Sequence, residues 1–217
     1  MSRYPHLEAL IDTMATLRGE HGCEWDREQT HESLVVFLIE EVHELIDAIE
    51  SGDRDEMGEE LGDVLYQLLF HIDIARSDPD QPFDIDDVAR VTNEKMRRRH
   101  PHVFAGQNVS GVEQIRENWQ EIKAAEKSHR DSVLDGVPAS LQGLARAHAM
   151  LKRSERIGVG VDATTANPPD TSDDQQWGQW LLGVIETARS QGIDTDQALR
   201  GALRDFETRV RAAERPG

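Results

Sequence analysis

The sequence contains a single cysteine, Cys23, and no long apolar run. One cysteine cannot form an internal disulfide, and it has no second thiol with which to complete a zinc knuckle. The longest apolar stretch, residues 34–39, is far shorter than the ~20 residues that a membrane span needs. The N-terminus also lacks the basic and then apolar segments of a signal peptide. These absences predict a cytoplasmic protein that does not interact with membranes.

Basic residues are scarce, since 24 Lys and Arg stand against 42 Asp and Glu, for a net charge of −18. Such a surface repels the phosphate backbone of nucleic acids, so we do not expect a nucleic-acid polymer as a partner. The one dense basic patch lies at residues 95–100. Hydrophobic residues make up 37% of the chain, enough for the core of one large domain or two small ones.

Apolar residues recur at three- and four-residue intervals along most of the chain, which is typical of amphipathic helices. No segment shows sustained alternation of apolar and polar residues, so the predicted fold is an all-α helical bundle. The first helix is expected to end near Gly19, and residues 21–29 are expected to form a loop. Helix starts are indicated by capping patterns at Thr30, Asp53, Ser110 with Glu113, and Asp194–Gln197. The acidic stretch Asp84–Asp87 indicates a further start, because it suits the positive N-terminal end of a helix dipole.

The second predicted helix ends near Ser51, ahead of Gly52. After Pro138 a further helical pattern runs to about Ile157, and residues 158–174 form a predicted loop before two closing helices. On the second, third and fifth helices the periodicity predicts these buried residues: Leu34, Val35, Leu38, Val42, Leu45, Ile49, Leu61, Leu65, Leu68, Leu69, Ile72, Val112, Ile115, Trp119 and Ile122.

Acidic residues lie one turn apart on both the second and the third predicted helix. At about 100° per residue, Glu41 and Glu44 are about 60° apart beside the apolar face of their helix. Glu60 and Asp63 are also about 60° apart, on a strip far from Leu61, Leu65 and Ile72. Two antiparallel helices joined by a tight turn can bring four carboxylates around one point. Such all-oxygen sets suit Mg²⁺ or Mn²⁺. The alternative is an ordinary pair of charged helices with surface acids.

The motif at residues 40–44, EEVHE, followed by ELGD at 60–63, resembles the EExxE…ExxD signature of the MazG family of nucleoside triphosphate pyrophosphohydrolases. Residues 21–26, HGCEWD, resemble the family's HGCPWD segment with Glu24 in place of proline, and residues 98–104 match its RRHPHVF segment. The resemblance implies an all-α, Mg²⁺-dependent enzyme, with Mn²⁺ as a possible substitute. It would hydrolyse (deoxy)nucleoside triphosphates to the monophosphate and pyrophosphate, for housecleaning or regulation of nucleotide pools.

The same resemblance implies roles for individual residues. It assigns the metal to Glu41, Glu44, Glu60 and Asp63, and it makes Glu40 a candidate for orienting or deprotonating the attacking water. The residues implied in substrate binding are Lys95, Arg99, Trp119, Lys123 and Trp25. For Trp119 the alternative is a core aromatic, and for Trp25 it is anchoring of its loop. Family analogy also predicts a homodimer.

A second, degenerate copy of the site motif follows in the C-terminal half. Residues 176–182 align with 60–66, and residues 198–209 similarly echo 88–99. Gln176 and Gln179 replace the two acids, and an uncharged amide is a poor substitute for a carboxylate on Mg²⁺. We therefore expect a catalytic helical domain at 1–130 and an inactive second repeat at 131–217.

Parts of the sequence are also compatible with two other functions. A di-iron carboxylate bundle uses paired Glu-x-x-His motifs, and the chain has two matches, Glu40/His43 and Glu126/His129. His43 falls on the outer face of its predicted helix, however, and residues 126–129 lie in a polar segment without an apolar stripe. A non-catalytic helical protein that binds a partner is the alternative outside the enzymes.

Overall fold

Helices are the only regular elements in the part of the chain that the computed structural model describes, residues 3–128, 130, 132–165, 167–170 and 173–214. Side chains are described up to residue 205. The chain divides into two compact units, Met1–Ala125 and Glu126–Gly217. The all-α prediction is confirmed. None of the described helices has the length and apolar character needed to cross a membrane.

The first unit contains seven described helices, which are α1 (Pro5–Leu17), α2 (Glu24–Glu28), α3 (Val35–Ser51), α4 (Arg54–Arg76), α5 (Ile85–Arg99), α6 (Pro101–Phe104) and α7 (Val112–Ala125). The second unit contains α8 (Gly143–Ser154), which continues into a 3₁₀ turn (Glu155–Ile157), then α9 (Asp174–Ser190) and α10 (Thr195–Glu214). In the first unit, α4 packs against both α1 and α3, and α5 packs against α6 and α7. In the second, α8, α9 and α10 pack against one another.

A tight connection makes α3 and α4 a helical hairpin. Gly52 ends α3 in the left-handed region with φ of 77°, which glycine adopts without a steric penalty. Asp53 then caps α4, because its carboxylate accepts hydrogen bonds from the backbone N–H groups of Asp55 and Glu56. The connection leaves no room for a long loop, so the end of α3 and the start of α4 lie side by side.

The core of the first unit forms where α1, α3 and α4 meet. Its fully buried side chains are Met14, Leu34 and Phe70, and the partly buried Phe37, Tyr66 and Ile74 pack against them. Arg18 connects this core to the following segment. Its Nε donates to Asp73 Oδ2 at 3.0 Å, its Nη1 donates to the Asp26 carbonyl at 2.6 Å, and its guanidinium lies 5.3 Å from the centre of the Phe70 ring.

Three local predictions are wrong. Residues 21–29 are not all loop, because α2 forms a five-residue helix there, too short to show a periodic pattern. Thr30 is not the N-cap of α3. Its Oγ1 accepts a hydrogen bond from the Ser33 N–H in a preceding turn, and the helix begins at Val35. Ser110 pairs with Gln114 instead of Glu113, because its N–H and hydroxyl both donate to Gln114 Oε1.

Apolar residues predicted to be buried fall into two sets. Leu34 and Leu69 are buried, and most of the others are partly buried. The predicted burial is wrong for six residues, which are 38–65% exposed when one copy of the chain is considered alone: Val35, Val42, Ile49, Leu61, Leu68 and Val112. An apolar stripe indicates a face that avoids water, but it does not say which surface covers that face.

Replacing Phe70 by alanine should lower the free energy of unfolding by about 3–5 kcal/mol, because the change leaves a cavity in the core. Phe83→Ala is the matched control, since Phe83 is 45% exposed, and it should cost less than about 1 kcal/mol. Both values follow from chemical denaturation of the full chain. Equal costs for the two variants would contradict the position of the core.

Candidate active site

Three carboxylates from two helices meet beside the α3–α4 connection. Glu41 comes from α3, and Glu60 and Asp63 come from α4. Each offers one carboxylate oxygen, and these oxygens all lie within 4.8 Å of one another. The hairpin explains the meeting, because Glu41 stands a few turns before the connection and the other two stand a similar distance after it. A hard divalent cation binds each ligand oxygen at about 2 Å, so two of its ligands are at most about 4 Å apart. Small side-chain rotations therefore suffice to bring these oxygens to one ion.

The other two acids of the first motif lie at the edge of this three-carboxylate cluster. Glu44 and Glu40 are both exposed side chains on α3. Glu44 is close enough to raise the pKa of both Glu41 and Glu60, and Glu40 contributes a smaller increase to the pKa of Glu41. The fold therefore brings Glu41, Glu60 and Asp63 within reach of one point, and it leaves Glu44 as a nearby negative charge.

Burial and mutual repulsion both act on the clustered acids. Burial is the largest cause that raises the pKa of Glu41, followed by the charges of Asp63 and Glu44, while the Gln67 amide partly lowers it. Burial likewise raises the pKa of Glu60, followed by Glu44, Asp63 and Glu41. Glu60 Oε2 is buried and has no hydrogen-bond partner among the described residues. Unpaired buried carboxylate oxygens fit a site that is completed by a cation.

Four of the predicted substrate-binding residues, Lys95, Arg99, Trp119 and Lys123, lie on α5 and α7. The Arg99 guanidinium lies 5.3 Å from the centre of the Trp119 ring, and Lys123 Nζ lies 4.7 Å from it. Arg99 is buried, and Trp119 is half-buried, with both cations near its ring. Lys95, one turn before Arg99 on α5, is also half-buried. Two positive charges therefore lie near the centre of the half-buried Trp119 ring.

Trp25 lies on α2 next to the helix that carries Glu41. Its ring meets the Phe37 ring edge to face, with centroids 5.8 Å apart. Phe37 stands one turn before Glu41 on α3, and Trp25 remains 51% exposed. One side of the Trp25 ring therefore anchors the α2 segment, while about half of its surface is open to a ligand.

Two polar side chains near the acids were not predicted as site residues. Gln67 is only 7% exposed, and its Oε1 has no hydrogen-bond partner in the described chain. His71 Nδ1 lies 2.8 Å from His31 Nδ1, and His71 Nε2 is buried without a partner among the described residues. A signal for both was present, because residues 60, 63, 67 and 71 share one face of a helix.

The remaining motif residues are exposed or lie outside the described part of the chain. His43, part of the di-iron alternative, is exposed on α3, and His129 lies outside the described residues. Gln176 and Gln179 are exposed at the start of α9 in the second unit, where Gln176 Nε2 donates to Asp173 Oδ2 at 3.1 Å. In the described chain, the carboxylate cluster contains no histidine.

Comparisons with known proteins agree on one group of proteins. A model of the MazG nucleotide pyrophosphohydrolase domain matches residues 29–104. The nucleoside triphosphate pyrophosphohydrolase/pyrophosphatase MazG of Thermotoga maritima is 36% identical over 95% of this chain and 85% of its own. The nucleoside triphosphate pyrophosphohydrolase of Escherichia coli K12 is 32% identical over 96% of this chain and 87% of its own. An uncharacterized 26.1 kDa Streptomyces cacaoi protein is 41% identical over 94% of this chain and 82% of its own.

Glu41→Gln should stabilise the metal-free protein at neutral pH, because it removes a charge that is partly buried and is repelled by its acidic neighbours. The raised pKa of Glu41 means that the folded state binds this proton more tightly than the unfolded state does. The destabilisation is therefore fully present above the folded-state pKa, and it disappears as the pH falls below the unfolded-state value. Melting temperatures of the two proteins in chelator between pH 4 and 8 test this.

Glu20→Gln, at an exposed position on the segment after α1, is the control for loss of one charge from an acidic protein. If both variants raise the melting temperature equally at pH 7, the gain reflects net charge and not repulsion within the carboxylate cluster.

Proposed function

Because this chain belongs to the MazG family of nucleotide pyrophosphohydrolases, we propose that it hydrolyses nucleoside triphosphates to nucleoside monophosphates and pyrophosphate with the aid of Mg²⁺. The observation that carries the proposal is the meeting of Glu41, Glu60 and Asp63 within 4.8 Å. The relatives from Thermotoga maritima and Escherichia coli bear names for this activity. Hydrolysis of a phosphoanhydride by water uses metal ions, which clustered carboxylates of this kind would hold. The reaction needs no covalent nucleophile.

The donor set suits Mg²⁺, with Mn²⁺ as a substitute. All the donors are carboxylate oxygens, which hard cations prefer, and Glu60 Oε2 is buried without a partner in the described chain. Glu41, Glu60 and Asp63 would hold the ion, and Glu44 would add a fourth carboxylate from the edge of the cluster. When bound, Mg²⁺ would neutralise charge on the phosphoryl oxygens and activate a water. Glu40, exposed beside Glu41, would orient that water or take its proton.

The residues around Trp119 would bind the rest of the charged substrate. Arg99 and Lys123 place two positive charges against one aromatic ring, and Lys95 lies one turn away on α5. A triphosphate is repelled by most of a protein with a net charge of −18, so a local group of cations is needed to attract it. Trp25, about half exposed, offers a ring face for the base.

A second copy of the chain would cover the exposed apolar stripe of α3. Val35, Ile39, Val42 and Ile49 lie within about 80° of one another on the helical wheel, and they are 38–55% exposed. Leu61 and Leu68 on α4 are exposed as well. Apolar patches of this kind mark association surfaces, and most soluble oligomers are symmetric homodimers or higher homo-oligomers. We therefore propose a homodimer that uses this face.

The second unit is proposed to have no catalytic role. Gln176 and Gln179 stand where the first copy has Glu60 and Asp63, and amides lack the charge that holds Mg²⁺. Its described helices pack together as a unit of their own, which suits a structural role.

Asp63→Asn should lower kcat/KM with a nucleoside triphosphate by about 100-fold or more, because it removes a negative ligand from the cluster. Products are separated by ion-exchange chromatography in Mg²⁺, and pyrophosphate is expected as the first product. Gln179→Leu, at the corresponding position of the second unit, should leave kcat/KM unchanged. Orthophosphate as the first product would reject the cleavage position, and full activity of Asp63→Asn would reject the site.

Ile39→Lys should convert the proposed dimer into monomers, because it buries a charge in the middle of the apolar stripe. Sedimentation velocity across a hundredfold range of concentration measures the change. Val103→Lys is the control, since Val103 on α6 is 64% exposed and lies outside the stripe. A wild-type protein that sediments as a monomer throughout would reject the dimer.

A further inference from the structure

One face of α4 holds most of the buried polar atoms that lack a hydrogen-bond partner. Within the described residues there are five such side-chain atoms, and three of them are Glu60 Oε2, Gln67 Oε1 and His71 Nε2. At about 100° per residue these three positions lie within about 40° on the helical wheel. Protein groups of this kind are nearly always paired, so a run of three on one strip points to a ligand that is absent from the chain itself.

The strip leads away from the carboxylate cluster. With a rise of about 1.5 Å per residue, Gln67 and His71 lie about 6 Å and about 12 Å along the helix axis from Asp63. Because α3 and α4 are antiparallel, the part of α4 beyond Asp63 lies opposite the part of α3 that precedes Glu41. Phe37 is in that part of α3, and it packs against the core cluster that contains Phe70. The half-exposed Trp25 contacts Phe37 and so belongs to the same end of the hairpin.

His71 has only one ring nitrogen left for a ligand. Its Nδ1 lies 2.8 Å from His31 Nδ1, and the two rings are within 4° of parallel. This contact holds the ring in place and leaves Nε2 as the remaining donor or acceptor. Burial, and then the neighbouring His31, lowers the pKa of His71. His71 is therefore neutral at neutral pH and suits a neutral polar group better than a phosphate.

Gln67 is likewise a buried, neutral polar side chain. Only 7% of its surface is exposed. It carries no charge, and its amide lies against Glu41. An amide oxygen and a neutral imidazole nitrogen, one helical turn apart, provide an acceptor and a donor or second acceptor. The edges of nucleobases present donors and acceptors of this neutral kind, whereas the phosphates of a nucleotide seek cations.

We propose that Gln67 and His71 are specificity-determining residues that hydrogen-bond the edge of the nucleobase, while Trp25 contacts its face. The proposal rests on the proposed function, because the phosphates must lie at the carboxylate cluster for the base to reach this strip. Sites that hydrogen-bond a substrate discriminate strongly against analogues that lack the matching groups. The identity of the base would thus be read by two uncharged side chains on the helix that also carries Glu60 and Asp63.

Gln67→Met and His71→Phe test the proposal, because each keeps the approximate size of the side chain and removes its hydrogen bonds. The measurement is kcat/KM for ATP, GTP, CTP and UTP in Mg²⁺, together with ribose 5-triphosphate, which has no base. The ratio between the best and the worst nucleotide should shrink about fivefold in each variant. Values for ribose 5-triphosphate should not change in His71→Phe, which lies further from the carboxylate cluster than Gln67 does. Gln81→Met, at an exposed position after α4, is the matched control.

The outcomes separate the two proposals. If the wild-type protein hydrolyses none of the nucleotides, the proposed function fails. If it does hydrolyse them and both variants keep the wild-type ratios, the base-reading role of Gln67 and His71 is overturned while the proposed function stands. A loss of activity that is equal for all four nucleotides and for ribose 5-triphosphate also overturns it, because that loss is purely structural.

A measurement on the wild-type protein avoids variants that fail to fold. Nucleoside monophosphates are added to ¹⁵N-labelled protein, and the side-chain resonances of Gln67 and His71 are followed. Both should shift on binding, by more than the side-chain amide of Gln81. Saturation with a monophosphate that leaves both resonances in place would overturn the proposal.

Discussion

Repulsion between carboxylates held a few ångströms apart is the constraint on which the proposed site depends. Glu41, Glu60 and Asp63 approach within 4.8 Å, and burial together with their mutual charge raises the pKa of both glutamates. Nothing within an isolated acidic cluster favours this approach. The α3–α4 hairpin imposes it, because the Gly52 turn and the Asp53 cap fix the register of the two helices. The packing of the core around Phe70 offsets the free-energy cost of this repulsion.

The α3–α4 hairpin carries different kinds of polar group at different points along its length. Charged oxygens lie near the connection, and neutral polar groups, Gln67 and His71, follow further along α4. This order matches a ligand with an anionic end and a neutral end, which describes a nucleotide. A single rigid helix carrying both kinds of group keeps them at fixed separations, and rigid elements position functional groups more precisely than loops do.

Membership in the MazG family, the all-α fold and the four-acid motif were all accessible from residue spacing and motif resemblance. The positions of short or locally bonded elements were not. Thr30 and Ser110 were predicted to cap helices, but each bonds to a different neighbour, Ser33 and Gln114, because short polar side chains have several local partners of similar energy. Val35, Val42 and Ile49 were predicted to be buried in the chain's own core, and the periodicity could not distinguish that core from an interface.

What the sequence determined by itself is the set of helix faces: which carboxylates share a strip, and which residues avoid water. Helical periodicity is local, so about 100° per residue is enough to establish it. What only the tertiary structure decided is which strips meet. It brought Asp63 to Glu41 across two helices, left Glu44 at the edge, and placed Arg99 and Lys123 near the Trp119 ring. Those meetings depend on how helices pack and on the turn that joins them, which are not properties of either helix alone.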